Sequence, residues 1–188
     1  LVFGYRQSGV VSRVGIEYYN SILKGAINKK LNKPIGYKNT TLVFWGKSLI
    51  PINYISNDVD RFSFYTKIHN AKKEGDIRDI KDELRDRYGK IPKETMSFIN
   101  LAELSLLYRG SLVKNINVGE ESLVFKLPGK LDSIGDILIP KILSYENSSV
   151  LNKKFKKDGR FMLVVFLTKK GYFWYDLLIN CNSLFYKT

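Results

Sequence analysis

Histidine and cysteine, the side chains most often recruited to metal and nucleophilic chemistry, occur once each, as His69 and Cys181. One His and one Cys exclude an intrachain disulfide and any thiolate cluster on a metal. A Ser-His-Asp relay would have to use His69, and no Gly-x-Ser-x-Gly elbow presents a serine to it. No glycine-rich loop ends in Lys-Ser or Lys-Thr, and there is no dinucleotide fingerprint. The carboxylates from Asp58 to Glu103 are interleaved with Lys and Arg. That spacing gives solvated, ion-paired faces, whereas an acid–base pair needs two carboxyls in unlike environments. Cys181 lies among Leu178, Ile179 and Leu184 and is expected in the core. Tyr172-Phe173-Trp174-Tyr175 is likewise expected to pack rather than to stack bases.

Charge offers a second kind of chemistry. The chain has 188 residues and a net charge of +13. Residues 1–57 hold eight basic and one acidic side chains, residues 58–110 eleven and ten, and residues 111–188 twelve and seven. Both flanks are therefore basic and the middle is balanced, a distribution that attracts polyanions. With 44% hydrophobic and 13% aromatic residues, the composition suits a packed core and not disorder. The apolar run Phe161 to Leu167 is far shorter than the roughly 20 residues of a membrane helix. No secretory leader pattern is seen, and Leu1 opens the chain in mid-motif. A soluble, cytoplasmic piece of a longer protein is expected.

The elements that would position these residues follow from periodicity. Ser12 to Ile27 is predicted helical, and the Lys-rich stretch Asn28 to Asn39, with Pro34 and Gly36, is a boundary loop. Thr41 to Trp45 is β-prone, and Leu49 to Ile55 is expected extended around Pro51. Three helices should follow. The first runs from after Asn57 to about Lys73, ends at Gly75, and has an apolar stripe of Val59, Phe62, Tyr65 and Ile68. The second starts at Asp76 as N-cap, buries Ile77, Ile80, Leu84 and Tyr88, and ends at Gly89. The third starts near Pro92 and closes at Gly110. Beyond it, Val113–Val118 and Ser122–Leu127 form a hairpin around Gly119-Glu120-Glu121. Asp132–Tyr145 is helical, Phe161–Thr168 is a buried strand, and Tyr172–Leu184 is a terminal helix or strand, with helix favoured. The fold class is α+β: an N-terminal helical segment, then a small mixed sheet packed with several helices.

Two stretches are more specific. One is Gly4-Tyr5-Arg6-Gln7-Ser8-Gly9, followed by Val14-Gly15-Ile16-Glu17-Tyr18-Tyr19. The other is Ile50-Pro51-Ile52-Asn53-Tyr54-Ile55 with Arg61-Phe62-Ser63-Phe64-Tyr65, continuing through Glu83-Leu84-Arg85-Asp86-Arg87-Tyr88-Gly89-Lys90-Ile91-Pro92. In this order and separation they resemble the carboxy-terminal part of the bacterial transcription-repair coupling factors, the Mfd family. The first resembles the end of the translocation motif shared with the helicase RecG. The second resembles the family's terminal domain, though Tyr88 stands where the family commonly has Phe. The likeness covers residues 4 to about 110. Over 111–188 it follows the order of elements more than the residues.

The resemblance implies a division into residues 1–39, the end of the translocation motif with a linking helix, and residues 40–188, an autoinhibitory and interaction domain. It implies a longer parent, an ATP-dependent translocase on double-stranded DNA that displaces stalled RNA polymerase and recruits nucleotide excision repair. ATP and magnesium would belong to the parent's motor, so this chain is expected to hold no cofactor and no catalytic residue. Gln7 matches the translocation-motif glutamine, with Arg6, Ser8 and Gly9 beside it. Arg61, Asp86, Arg87, Gly89 and Pro92 match terminal-domain positions with structural roles. The implied partners are the protein's own amino-terminal UvrB-like module and, in the parent, UvrA, whose binding surface this part would mask. The basic flanks support a competing reading, a nucleic-acid-binding module without catalysis.

Overall fold

The computed structural model describes residues 40–129 and 131–186. The motif residues Arg6, Gln7, Ser8 and Gly9, and the helix expected over 12–27, lie outside them. The described chain is α+β, with five helices and one five-stranded mixed sheet. It divides into two compact units. One contains residues 46–102; the other contains residues 40–45 with those from Glu103 onward.

The first unit is helical. Helix α1 spans Asp58–Asn70. Its N-cap is Asn57, whose side-chain oxygen accepts from the N–H groups of Val59 (2.9 Å) and Asp60 (3.1 Å). That satisfies two donors the first turn cannot pair internally. Helix α2 spans Glu74–Tyr88. Asp76 is not its N-cap. It sits in the first turn and reaches back to the N–H groups of Lys72 (2.8 Å) and Lys73 (3.2 Å). A carboxylate there caps from inside the helix as well as from its mouth. Gly75 accordingly lies within α2 and not at the end of α1. Gly89 ends α2 with φ +76° and ψ −146°, a backbone conformation that glycine adopts without a Cβ penalty.

The expected stripe of α1 is half wrong. Phe64 and Ile68 are buried, whereas Val59 is 77% and Phe62 51% exposed. The buried face is set by what α1 meets, not by the nearest run of apolar residues. The segment after Leu49 also departs from extended form. Ile52–Tyr54 is a turn, with the Tyr54 and Ile55 N–H groups both donating to the Pro51 carbonyl at 3.1 Å. The turn buries Ile50 and Ile55 and leaves Ile52 exposed. The Ile50 N–H donates to the Tyr65 hydroxyl at 2.8 Å, and the Thr95 hydroxyl to the Leu49 carbonyl at 3.2 Å.

Helix α3 spans Lys93–Leu107, and the boundary between units falls within it. The second unit holds strands β1 (Thr41–Phe44), β2 (Asn115–Val118), β3 (Ser122–Pro128), β4 (Val150–Asp158) and β5 (Phe161–Thr168). Their order is β1-β2-β3-β5-β4, with β1 parallel to β2 and the other neighbours antiparallel. The expected β2–β3 hairpin forms, with Val118 opposite Leu123. Strand β4 was not expected. Its sequence, VLNKKFKKD, carries too little apolar alternation to signal a strand, and it lies at an edge where one partner suffices.

Helix α4 (Asp132–Ser144), helix α5 (Trp174–Cys181) and a terminal 3-10 turn (Asn182–Phe185) complete the unit. One face of the sheet supplies Ile116, Val118, Leu123, Phe125, Leu127, Val164 and Phe166 to a core shared with Tyr108, Ile142, Leu178 and Phe185. Phe125 stacks on Phe185 at 4.5 Å and meets Phe166 edge-on at 5.2 Å. Each such buried Phe contributes on the order of 2–3 kcal/mol through area alone. Cys181 is fully buried, as its neighbours suggested.

Candidate functional site

The terminal-domain positions singled out in the sequence all lie in the helical unit. Arg61, one turn into α1, donates to the Ile55 carbonyl at 2.7 Å and pairs with Asp58. Its guanidinium therefore ties the preceding turn to the helix start. Arg87, in the last turn of α2, donates to Glu83 and to Asp60 of α1, each at 3.2 Å. Its guanidinium also lies 5.1 Å from the centre of the Tyr88 ring and 5.6 Å from that of Phe64. Gly89 lends its carbonyl to the Tyr54 hydroxyl, which also lies 3.1 Å from the Leu84 carbonyl. The Pro92 carbonyl accepts from the Met96 N–H at 2.9 Å, starting α3. Asp86 is exposed on the outer side of α2.

Around Arg87 the partners form a continuous seam between α1 and α2. Tyr88 donates to Asp60 at 3.0 Å, so one carboxylate serves both residues. Lys67 binds both oxygens of Glu83, at 2.7 and 2.6 Å. Those bonds, with the Arg87 guanidinium, hold the Glu83 carboxyl below the usual glutamate range. Glu83 in turn raises the Arg87 pKa. Phe64 meets Tyr88 edge-on at 5.9 Å beneath this layer. Glu83 and Arg87 are four apart on one helix, a pairing legible in the sequence. The contribution of Asp60, 27 residues from Arg87, was not.

This arrangement holds elements together; it presents no activated nucleophile. The Glu83 carboxylate is neutralised by Lys67 and Arg87, so it is not poised as a proton donor near neutral pH. His69 is half-buried on α1, and burial lowers its pKa. The Cys181 thiol, enclosed beside the Tyr108 hydroxyl at 3.5 Å, is pushed up to about 12 by burial. A thiol so placed is not a nucleophile. Among the described residues no cluster of three or more His, Cys, Asp or Glu side chains could hold a metal. A cleft of ≈ 550 Å³ opens beside the loop from α4 to β4, lined by Tyr145, Asn147, Leu151 and Lys153 among others. Its one lysine, Lys153, is already bonded to the Leu143 and Tyr145 carbonyls.

A helical unit with an ionic seam and a unit built on one mixed sheet make up an α+β chain in which Arg61 and Arg87 tie neighbouring helical-unit elements. Residues 46–134 match the family described as "TRCF domain". Over that stretch, just under half of the 188 residues, the chain is similar to a TRCF domain. It is 27% identical over 172 residues to the transcription-repair-coupling factor of Rickettsia bellii, across 90% of this chain. It is 29% identical over 159 residues to that of Borreliella burgdorferi, across 84% of this chain. The matched segments are 15% and 14% of those relatives' lengths, so the chain spans about one seventh of each. Its fold is similar to the crystal structure of the C-terminal domain of a transcription-repair coupling factor. The TM-score is 0.62 at 16% identity, over 78% of this chain and 93% of that one. No helix among the described residues is long and apolar enough to cross a membrane.

Proposed function

We propose that this chain is the regulatory end of a transcription-repair coupling factor and does no chemistry of its own. In this reading it docks on the protein's own amino-terminal UvrB-like module and masks the surface that recruits UvrA. The ATP-driven translocation on double-stranded DNA that displaces stalled RNA polymerase belongs to a motor elsewhere in the parent, in the cytoplasm. Gln7, with Arg6, Ser8 and Gly9, is the tail of that motor's translocation motif. One observation supports the reading best. The likeness to transcription-repair-coupling factors runs over most of this chain yet about one seventh of theirs. The seam around Arg87 fits it, because a domain that restrains a larger machine needs firmly tied helices, not a reactive pocket.

The test has two arms. The isolated chain should be retained by the immobilised amino-terminal module. Deleting residues 40–188 from the parent should raise its affinity for UvrA. Absence of both effects would remove the masking role. ATP hydrolysis by the isolated chain would overturn the non-catalytic reading.

A further inference from the structure

Among the described residues, a strongly basic surface lies elsewhere, on the hairpin of β4 and β5. Residues 150–170 hold seven lysines and arginines against one carboxylate, Asp158. Strand alternation sorts them by face. Lys154 lies opposite Val165, and Lys156 opposite Leu163, which pairs on its other side with Lys126 of β3. Leu163 and Val165 lie in register between Val164 and Phe166, which face the core, so this row occupies the opposite face of the sheet. Lys154, Lys156 and Lys157 are exposed, and no carboxylate pairs with them among the described residues.

The row continues into a cluster at the hairpin's turn. Three cations converge on the ring of Phe161: Lys126 Nζ at 4.4 Å, Lys114 Nζ at 4.5 Å and the Arg160 guanidinium at 5.4 Å from its centre. Asp158, 2.8 Å from Lys126, brings a carboxylate to the cluster. The negative face of an aromatic ring holds cations in place, but three at one ring repel each other. An anion relieves that repulsion. The backbone fixes the arrangement too. The Gly129 N–H donates to the Arg160 carbonyl at 2.9 Å, and a Cβ on Gly129 would fall 2.5 Å from that oxygen. Only glycine lets the end of β3 lie this close to the turn that carries Arg160.

We infer that the outer face of the β4–β5 hairpin, with Lys126, Lys154, Lys156, Arg160 and the Phe161 cluster, binds the phosphate backbone of double-stranded DNA. Alternate lysines on one strand stand about 7 Å apart, and strands two apart are separated by about 10 Å. Such spacing sets cations against several phosphates of a duplex, the densest linear array of negative charge available. An acidic polypeptide fits less well. Its usual routes are strand addition, which lysines on an edge oppose, or an apolar anchor in a pocket. Single-strand stacking is disfavoured because the Phe161 ring is occupied by cations. The inference is independent of the masking role and does not need the amino-terminal module.

The test is fluorescence anisotropy of the 188-residue chain with a labelled duplex of arbitrary sequence, at salt from about 50 to about 200 mM. Two charge-matched variants decide it: K154E/K156E/R160E on the hairpin and K72E/K81E/K90E in the helical unit. Glutamate keeps the edge strand charged, which guards against aggregation. Thermal melts confirm that each variant is folded. The hairpin variant should bind about tenfold or more weaker than the helical-unit variant at low salt. Its plot of log affinity against log salt should be shallower than the native plot by about 2–3. Equal weakening by the two variants would overturn the inference, because the whole charge would then be responsible. So would absence of salt-sensitive binding by the native chain, or tighter binding of polyaspartate than of duplex at equal charge.

Discussion

At the scale of single residues, burial decides what chemistry survives. Tyr108 is fully enclosed, and its hydroxyl donates to the Leu178 carbonyl at 2.8 Å. Tyr108→Phe leaves that carbonyl without this donor, and the expected cost is about 1–2 kcal/mol. The midpoint of urea unfolding reports it. Cys181, with its thiol pushed up to about 12, should resist Ellman's reagent at pH 8 and react fully once urea unfolds the chain. Rapid labelling of the native protein would contradict the packing around α5. Arg87 is the opposite case. Its partners are solvent-accessible, so Arg87→Ala should unfold at a urea midpoint much closer to native than Leu84→Ala. Leu84 is completely buried, and its truncation is expected to cost about 2–5 kcal/mol.

At the scale of elements, helices announced themselves and the edge strand did not. Asn57 and Gly89 mark helix ends because capping is local chemistry between residues a few positions apart. Asp76 misled because an acidic residue serves equally as cap or as a first-turn partner of the preceding N–H groups. Strand β4 hid because an edge strand needs no second apolar face and gains from lysines that deter strand addition. The hairpin to β5 depends on one close approach. Gly129→Ala would press a methyl group onto the Arg160 carbonyl, and backbone atoms on both sides must move. The expected loss is about 1–3 kcal/mol, read as a lower urea midpoint. Val124→Ala on the half-buried outer face of β3 should cost less.

At the scale of the whole molecule, stability should fall on the acid side, and the sign is the same for three groups. Glu83 is held below 4.5 first by its bond to Lys67, and Asp76 below 3.8 first by the Lys72 N–H. Each carboxylate stabilises the fold fully above its ordinary pKa and loses that contribution as pH falls through its lowered one. His69 is lowered from 6.5 by burial, so protonation costs the folded state as pH falls below that value. Thermal melts should therefore show a shallow decline from about pH 6.5 and a steeper one below about pH 4.5. In K67Q the steep phase should shrink, because Glu83 loses the first cause of its shift. An unchanged acid profile in K67Q would show that the seam does not set it.

The sequence alone determined what is local or additive: the α+β class, the helix ends at Asn57 and Gly89, the β2–β3 hairpin, the buried cysteine and the basic flanks. These depend on caps, turn residues, period and summed charge, all within a few residues of each other or independent of order. Tertiary structure alone decided which face of α1 is buried, that Asp60 joins Glu83 on Arg87, and that Lys114, Lys126 and Arg160 meet at Phe161. Asp60 and Arg87 are 27 positions apart, and Lys126 and Lys114 stand 35 and 47 positions from Phe161. The physical reason is that side chains so distant in sequence meet only when packing has fixed the backbone between them, and no local preference encodes that meeting.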